Sequence, residues 1–207
     1  MRDMEEHKTP EEWYHDSFEK LVENGMSKTQ VKEILDPGYA FIVTDPLTGV
    51  YNRRVLYERL EALAKQEIPL CIDMLDVDHF KNYNDTYGHG QGDIALKQIT
   101  SAIKAGTKSE DILARYGGEE FTLILPRTDL KGAKRVTERV RKNVEDMIME
   151  ASSENLKEGF EKTTISQGAT WHDGSSIKTA DQLLKEADVA LYEAKKERNM
   201  VSFYHLI

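Results

Sequence analysis

The stretch ILARYGGEEFTLIL, residues 112–125, contains the pattern that decides the fold of this chain. Two apolar runs, Ile112–Tyr116 and Phe121–Leu125, flank the glycine pair Gly117–Gly118. Adjacent glycines between apolar runs predict a tight β-hairpin, because hairpin turns need positive φ angles. The dipeptide Glu119–Glu120 follows the predicted turn, where an ordinary strand residue would be expected. Since neighbouring strand residues point to opposite faces, the two carboxylates need not share one role.

Residues 40–207, which contain the hairpin, have a mixed pattern of strands and helices. Further strands are predicted over Ile68–Asp76, Thr163–Trp171 and Val201–Tyr204. Helices are predicted after Asn52, from Asp78, and over Asp93–Lys104, Leu130–Ile148 and Ala180–Lys196, with a polar connection at Ala151–Lys162. Strands that alternate with helices around one antiparallel hairpin predict an α/β (α+β) fold, whose sheet carries helices mainly on one face.

Residues 1–39 are predicted to form a short N-terminal helical extension, separate from the domain at 40–207. Thr9–Glu12 and Ser27–Gln30 have the spacing of capping boxes, so each should begin a helix. Asp36–Pro37–Gly38 is expected to end the second helix, because proline disrupts a helix interior. Both helices carry apolar stripes, which need burial against the main domain or a second subunit. Support of a dimer is the favoured role, with a remnant linker or a lid as alternatives.

The charge balance argues against a nucleic-acid-binding protein. The chain has 28 Lys and Arg residues against 37 Asp and Glu residues, a net charge of −9, whereas binders of phosphate backbones are usually basic. A mononucleotide ligand is not excluded, because a bound metal ion can neutralise its phosphates. The single cysteine, Cys71, lies in an apolar run and is expected to be a buried thiol. No apolar run approaches the roughly 18 residues of a membrane span, so we expect a cytoplasmic protein without membrane insertion.

A second acidic cluster, DVDHFK at Asp76–Lys81, lies where a predicted strand ends and a helix begins. A strand end beside the hairpin is a place where Asp76 and Glu119 could meet and share a hard divalent cation such as Mg²⁺. The backbone N–H groups near His79 and Phe80 would face phosphate oxygens. Each signal is weak alone, because an Asp before a helix is usually a cap and glutamates after a turn are usually solvated.

The run Asn84–Asp93, NDTYGHGQGD, strengthens this interpretation. It is predicted to be a glycine-rich polar loop between two helices, able to present Asn and Asp side chains to a ligand. A carboxylate and an amide together can recognise guanine, which offers N1–H and N2–H₂ donors and O6 and N3 acceptors. Two metal ions beside such a pocket would suit phosphoryl transfer.

Together, the motif runs of this chain resemble those of GGDEF-domain diguanylate cyclases, in the GGEEF variant of their signature. The matching runs are Thr44–Arg54, Asp76–Lys81, Asn84–His89, Gly92–Asp93, Arg115–Phe121 and Ala187–Lys195. They occur in the family's order, span about residues 41–207, and leave the N-terminal extension outside. The resemblance implies a domain like those of nucleotide cyclases and polymerase palms, with a central, mostly antiparallel sheet flanked by helices.

The resemblance also implies an activity, in which two GTP molecules condense into cyclic di-GMP with release of pyrophosphate. Each subunit of a homodimer, formed at least transiently, would hold one GTP, and the implied cofactor is Mg²⁺ or Mn²⁺, with two ions per active site. The alternatives are a catalytically silent receptor for GTP or cyclic di-GMP, and a cyclase with relaxed purine choice. The signature carboxylates and Asp93 favour the active, GTP-specific enzyme.

The resemblance implies residue roles at the matching positions. The metal ligands would be Asp76, the carbonyl group of Val77, and Glu119. Glu119 would also help to activate the ribose 3′-OH, and Glu120 would complete the catalytic acidic site. The substrate-binding residues would be Asn84 and Asp93 for guanine, the N–H groups of His79 and Phe80 for phosphates, the charges of Lys81 and Lys195, and His89. Asp45 and Arg53 would belong to a structural and positioning motif.

The chain departs from the family pattern at three places. The RxxD product-inhibition motif is replaced by Lys108-Ser-Glu-Asp111, and lysine lacks the planar fork for bidentate bonds, so feedback inhibition should be weak or absent. The closing motif, Ala194–Asn199, is one residue short and lacks its glycine, so Arg198 is not assigned to a phosphate. Asp73 interrupts an apolar strand on the face opposite Asp76, and we expect a local hydrogen-bond partner for it.

Overall fold

The computed structural model describes residues 8–147 and 162–204, so residues 151–161 of the predicted polar connection lie outside the described residues. The described helices are α1 (Pro10–Glu23), α2 (Lys28–Val43), α3 (Arg53–Ala64), α4 (Phe80–Tyr87), α5 (His89–Ala105), α6 (Leu130–Glu145) and α7 (Ala180–Glu197). The described strands are β1 (Tyr51–Asn52), β2 (Leu70–Val77), β3 (Ile112–Gly117), β4 (Glu120–Pro126), β5 (Ile165–His172) and β6 (Val201–Phe203). The predicted strands and helices of the main domain are therefore present, with shifted ends.

The six described strands form one sheet in the order β1-β3-β4-β2-β5-β6. The inner pairings β3-β4, β4-β2 and β2-β5 are antiparallel, and the outer pairings β1-β3 and β5-β6 are parallel. This result confirms the predicted mostly antiparallel sheet flanked by helices. Because β2 lies between β4 and β5, its end at Asp76 is held beside the hairpin.

Helices cover both faces of the sheet. On one face, α4, α5 and α6 pack over a core that includes Cys71 and Leu75 of β2. On the other face, α3 and α7 pack over a core that includes Ile72 and Met74. The expectation that helices lie mainly on one face is therefore wrong. The physical reason lies in β2, whose successive side chains alternate between two apolar cores, so that both faces need cover.

The hairpin turns one residue later than the sequence predicts. β3 extends to Gly117, which pairs with Glu120, so the turn consists of Gly118 and Glu119. Gly118 has a φ of 49°, a backbone conformation that favours glycine. A register shift between Arg115 and Gly117 bends the strand before the turn. Glu119 therefore lies in the turn itself, whereas Glu120 is the first residue of β4.

The second helix of the N-terminal extension does not end at Asp36–Pro37–Gly38. α2 continues through Pro37 to Val43. The helix therefore crosses the predicted boundary between the N-terminal extension (1–39) and the main domain (40–207). A proline removes one helix hydrogen bond, but contacts from the main domain hold the following turn. The carbonyl oxygen of Ile42 accepts hydrogen bonds from Asn52 at 2.7 Å and from Arg54 at 3.1 Å. These tertiary contacts explain why the local stop signal fails.

The extension packs on itself and against the main domain. The ring centroids of Tyr14 in α1 and Tyr39 in α2 are 4.8 Å apart. Glu11 of α1 forms an ion pair with Arg59 of α3. Phe41 of α2 nevertheless remains 80% exposed. The extension is therefore anchored to the domain at one end and leaves apolar surface uncovered.

Asp73 has an environment that the sequence does not predict. Its side chain is 0% exposed and, by strand alternation, lies on the α5/α6 side of the sheet with Cys71 and Leu75. Among the described residues no donor contacts either carboxylate oxygen, so the expectation of a local hydrogen-bond partner is wrong. Burial raises the pKa of Asp73 well above its ordinary value, which favours the neutral acid.

Candidate active site

The carboxylates that were expected to act together lie at one end of the sheet. Asp76 of β2 pairs in register with Glu120 of β4. Paired residues point to the same face, here the α3/α7 face to which Met74 also points. The N–H of Val77 donates to the carbonyl oxygen of Glu119 at 3.3 Å. This contact ties the hairpin turn to the end of β2.

Burial, followed by mutual repulsion, disfavours the charged forms of the carboxylates in this cluster. Lys195 of α7 donates to Asp76 Oδ2 at 2.8 Å, yet burial still raises the pKa of Asp76 above its ordinary value. Burial, followed by the charge of Asp76, also raises the pKa values of Glu119 and Glu120. Lys195 and Arg53 oppose this increase at Glu120. A cation placed among these carboxylates would offset their repulsion.

The donor set fits a divalent cation that the substrate helps to hold. Within residues 8–147 and 162–204, no three His, Cys, Asp or Glu side chains form a ready-made metal cage. Mg²⁺ does not need one, because it is usually held by one or two carboxylates together with substrate phosphates and waters. Asp76, Glu119 and the carbonyl of Val77 are the candidate ligands. Lys195 would have to move away from Asp76 Oδ2 when the ion binds.

Asn84 lies in α4 and Asp93 in α5, so both residues belong to helices rather than to a loop. The predicted glycine-rich loop is wrong, because Gly88 alone separates α4 from α5. The side chain of Asn84 lies against Gly92, where an added Cβ would come within 1.9 Å of Asn84 Oδ1. That oxygen is buried, and no donor in the described part of the chain contacts it. A buried acceptor without a partner, beside the residue that precedes Asp93 in the chain, suits the N–H donors of a guanine.

The start of α4 lies directly after the acidic strand end. His79 is the N-cap, with a φ of 57°, and its side chain makes no capping hydrogen bond. Phe80 is buried, whereas His79 and Lys81 are exposed. His89 is exposed at the first position of α5. The residues expected to face phosphates therefore lie at a helix N-terminus next to the carboxylates, a setting that favours anions.

Asp78 holds the connection between β2 and α4 in place. Its carboxylate accepts hydrogen bonds from Thr164 Oγ1 at 2.6 Å, Ser166 Oγ at 2.7 Å and the N–H of Asn199 at 3.0 Å. The sequence suggested a helix cap or a solvated residue instead. Because its partners lie far along the chain, no local pattern could identify this role.

The shortened closing motif ends α7 with an unusual backbone. Arg198 has φ 59° and ψ 171°, a region that residues other than glycine rarely adopt. The following residue, Asn199, is fixed by Asp78 and by Arg141 and Glu145 of α6. Arg198 therefore adopts a backbone conformation that is typical of glycine. The hydrogen bonds of Asn199 keep the backbone in this strained conformation.

An ion pair that the sequence analysis missed supports the hairpin turn. Arg115 Nε and Nη2 donate to the carbonyl of Gly118 at 2.9 and 2.7 Å, and Nη1 lies 3.1 Å from Asp45 Oδ1. Burial alone would raise the pKa of Asp45, but hydrogen bonds from Thr48 and the guanidinium of Arg115 hold it below its ordinary value. The two partners are 70 residues apart, so only their presence in matching motif runs hinted at the contact.

The altered inhibitory motif lies in the loop before β3. The N–H of Lys108 donates to Asp111 Oδ2 at 2.7 Å, and Lys108 Nζ lies 3.8 Å from Glu110. Both residues line a cavity of about 520 Å³. Burial raises the pKa of Asp111, an effect that the N–H of Lys108 and the charge of Arg139 oppose. Arg139 of α6 is thus a nearby cation that the sequence did not point to.

The fold is that of a nucleotide-cyclase-like domain: a mostly antiparallel sheet between helices, with clustered carboxylates at one strand end. Residues 42–200 match the family model of the diguanylate cyclase GGDEF domain. The chain belongs to this family. Membership implies a general dependence on divalent metal ions.

Similarity to individual proteins extends beyond the family motif. Diguanylate cyclase A of Treponema denticola is 41% identical over 197 residues, which cover 91% of this chain and 52% of that protein. The crystal structure of the diguanylate cyclase SiaD from Pseudomonas aeruginosa, in complex with its activator SiaC, is 35% identical, with a TM-score of 0.71 and coverage of 93% of this chain and 75% of that one. The coiled coil and GGDEF domain of DgcB from Caulobacter crescentus, in complex with c-di-GMP, is 28% identical, with a TM-score of 0.77 and coverage of 89% and 97%.

The curated relatives are longer proteins. The chain spans about a third to a half of the length of the first relatives that it matches, at 34%, 37% and 52%. Among the helices in the described ranges, none combines the length and apolar character needed to cross a bilayer.

Proposed function

We propose that this chain is a diguanylate cyclase, which condenses two GTP molecules into cyclic di-GMP and releases pyrophosphate. The observation that carries the proposal is the register pair of Asp76 and Glu120, with Glu119 in the adjoining turn. These carboxylates repel one another at a single strand end, the setting in which a bound metal ion can support phosphoryl transfer. Family membership supports the same reaction.

The guanine of the substrate would lie between α4 and α5. Asn84 Oδ1 and the carboxylate of Asp93 would accept hydrogen bonds from the guanine N–H groups, which adenine does not offer in the same arrangement. His89 would contact the edge of the ligand from the start of α5. The close approach of Asn84 to Gly92 supports this assignment, because it places the amide of α4 against the first turns of α5, which carry Asp93.

The phosphates of the substrate would lie over the start of α4. The backbone N–H groups of His79 and Phe80 would bind phosphate oxygens, and Lys81 and Lys195 would add positive charge. Without substrate, Lys195 neutralises the charge of Asp76. When a cation binds to Asp76, Lys195 would be displaced toward the phosphates of the substrate.

In the reaction, the 3′-oxygen of each GTP attacks the α-phosphorus of the other, and the bond from that phosphorus to the bridging oxygen of pyrophosphate breaks. A bound divalent cation, for which we propose Mg²⁺ or Mn²⁺ with two ions per site, makes the hydroxyl more acidic and neutralises phosphate charge. Asp76, Val77 and Glu119 would hold the metal. Glu119 would also help to activate the 3′-hydroxyl, and Glu120 would complete the acidic site.

The working unit would be a homodimer, formed at least transiently, because each copy holds one GTP and both new bonds form between the two. Ile34 of the extension is 57% exposed, and this apolar surface supports a role for residues 1–39 in that dimer, beside the cyclase domain at 40–207. The proposed location is the cytoplasm, which suits the unpaired, buried thiol of Cys71.

Feedback inhibition by the product should be weak. Lys108 cannot form the bidentate contacts of an arginine, and its ammonium group lies 3.8 Å from Glu110. Inhibition at micromolar product that disappears in Asp111→Ala would contradict this part of the proposal.

The test of the proposed function is a product assay. Purified protein is incubated with Mg²⁺ and GTP, ATP or both, and the products are separated by chromatography. We expect cyclic di-GMP from GTP, no cyclic dinucleotide from ATP alone, and loss of product in Glu119→Gln. Glu61→Gln, at an exposed position of α3, is the matched control and should remain active. A protein that binds GTP but forms no product at dimer-forming concentrations would instead be the silent receptor.

A further inference from the structure

A cluster of one arginine and two tyrosines lies on the same face of the sheet as the carboxylates and has no part in the substrate-binding and metal-binding roles proposed above. The guanidinium carbon of Arg53 lies 4.3 Å from the ring centroid of Tyr116 and 5.8 Å from that of Tyr57. Arg53 Nη2 donates to the hydroxyl of Tyr116 at 3.1 Å, and the two tyrosine hydroxyls are 3.2 Å apart. We call these three residues the Arg53 platform.

The platform is a built structure rather than a chance surface contact. Arg53 is the first residue of α3, whose N-cap Asn52 accepts a hydrogen bond from the N–H of Val55 at 3.1 Å. Tyr57 lies one helical turn later on the same helix, and both tyrosines pack against the α3/α7 core. The rings are therefore held by the core, and they hold the guanidinium through cation–π contact.

The platform lies on the same face of the sheet as the carboxylates. Tyr116 is next to the hairpin turn in β3, and Glu120 follows the turn in β4. The charge of Arg53 reaches Glu120. Lys195 approaches the carboxylates from α7, and Arg53 approaches them from α3. The acidic cluster thus lies between two cations on different helices.

The two cations differ in what they bind. Lys195 is bound to a carboxylate, Asp76 Oδ2. Arg53 instead donates to a phenol whose pKa is raised by burial, and which is therefore neutral at physiological pH. Arg53 is an exposed residue. No carboxylate of the described residues forms an ion pair with Arg53, and its planar donor geometry suits phosphate oxygens.

The GTP bound to the same copy would not need this charge. Its guanine would lie at α4 and α5, on the other side of the sheet, and its phosphates would lie over α4. The second substrate has a different requirement, because its α-phosphate must approach a site lined by Asp76, Glu119 and Glu120. A bound metal ion would offset part of the repulsion between this anion and the carboxylates, and a fixed positive charge beside them would in addition orient the phosphate.

We infer that the Arg53 platform binds the α-phosphate of the GTP carried by the facing copy of the chain and positions it for attack. The inference rests on the proposed function and adds a substrate contact across the dimer. It also extends the role of Arg53, for which the sequence implied a structural and positioning motif. The tyrosine rings fix the guanidinium plane, so the phosphate meets donors that are already oriented.

The test separates binding of the first GTP from turnover. Arg53→Ala, Arg53→Lys and the wild type are compared for affinity toward a non-hydrolysable GTP analogue at protein concentrations that keep the chain monomeric. Turnover is then measured with saturating GTP and Mg²⁺ at concentrations that form dimers. Arg135→Ala, an exposed arginine of α6, is the matched control. Thermal unfolding of every variant shows whether it is folded.

We expect Arg53→Ala to lower kcat by about 100-fold, the cost of removing one preorganised contact to a transition-state oxyanion, with unchanged analogue affinity. Arg53→Lys should stay at least about tenfold below wild type, because lysine cannot stack its charge as a plane on the ring. Turnover within about threefold of wild type in either folded variant would overturn the inference. So would a parallel loss of analogue affinity, which would assign Arg53 to the first GTP.

The outcomes are distinguishable from failure of the proposed function. If the wild type forms no cyclic di-GMP, the cyclase proposal fails before any variant is compared. If Arg53→Ala does not fold, the folded Arg53→Lys variant decides the question alone. An active wild type with active Arg53 variants would leave the cyclase proposal intact and reject the platform.

Discussion

Replacement of Asp73 by asparagine should stabilise the protein increasingly as pH rises. Asp73 is fully buried, and in the described part of the chain neither carboxylate oxygen has a hydrogen-bond donor. Burial raises its pKa well above the ordinary value. Asparagine has nearly the same shape but cannot ionise, so the variant removes the titration and keeps the packing.

The sign and size follow from proton linkage. The folded protein keeps a proton on Asp73 that the unfolded chain, with a pKa of about 3.9, releases. The free energy of unfolding contributed by this group is therefore highest below the unfolded-state pKa. It falls as pH rises toward the folded-state pKa, by about 1.4 kcal/mol per pH unit. Asp73→Asn lacks this decrease, so its advantage over the wild type should grow by that amount per unit.

Urea denaturation at pH 5, 6 and 7, followed by tryptophan fluorescence, measures the effect. The difference in unfolding free energy between Asp73→Asn and the wild type should widen as pH rises, until pH passes the folded-state pKa of Asp73. Asp146→Asn, at an exposed position after α6, is the matched control and should show a constant difference. Parallel pH curves for the wild type and Asp73→Asn would refute the assignment of a neutral, unpartnered acid.

Three further predictions test other parts of the structure. Arg198→Gly should raise the free energy of unfolding by about 1–3 kcal/mol in urea denaturation, because glycine adopts φ 59° and ψ 171° without strain; no gain would contradict the strained conformation. Gly92→Ala should lower GTP affinity in titration calorimetry by displacing Asn84, whereas Gly90→Ala, where an added Cβ meets nothing within 4 Å, should not; equal affinities would argue against the guanine pocket. Arg115→Lys should lower the free energy of unfolding by about 1.5–3 kcal/mol and reduce turnover, since lysine cannot contact both the carbonyl of Gly118 and the carboxylate of Asp45. An unchanged melting temperature would argue against that contact.

Local patterns predicted most of the secondary structure. The hairpin, β2 and α7 follow from apolar periodicity and turn chemistry, which act over a few residues. The same signals predicted that Asp76 lies close to the hairpin. A strand that ends beside a hairpin brings its last side chains to the hairpin turn. Local signals failed where tertiary contacts oppose them, as at Pro37, where Asn52 and Arg54 hold the helix end.

Other features depend on contacts between distant residues and could not be predicted. Arg53 and Tyr116 are 63 residues apart, and Asp78 and Asn199 are 121 residues apart. The spacing of apolar residues along the sequence carries no information about contacts over such distances. The environment of Asp73 is a different case. Because buried charged side chains usually have a hydrogen-bond partner, the sequence predicted one for Asp73. Among the described residues, the fold supplies no donor to its carboxylate. The domain division at residues 39 and 40 and the roles of the site residues stay predictions.

The central claim is that carboxylates of β2 and the hairpin carry out metal-dependent synthesis of cyclic di-GMP. The most direct measurement is cyclic di-GMP formed from GTP by the wild type and by Glu119→Gln, with Mg²⁺ and with EDTA. The account predicts product only from the wild type with Mg²⁺, while Glu119→Gln remains folded and retains its guanine pocket. Equal product from Glu119→Gln, or undiminished synthesis in EDTA, would contradict it.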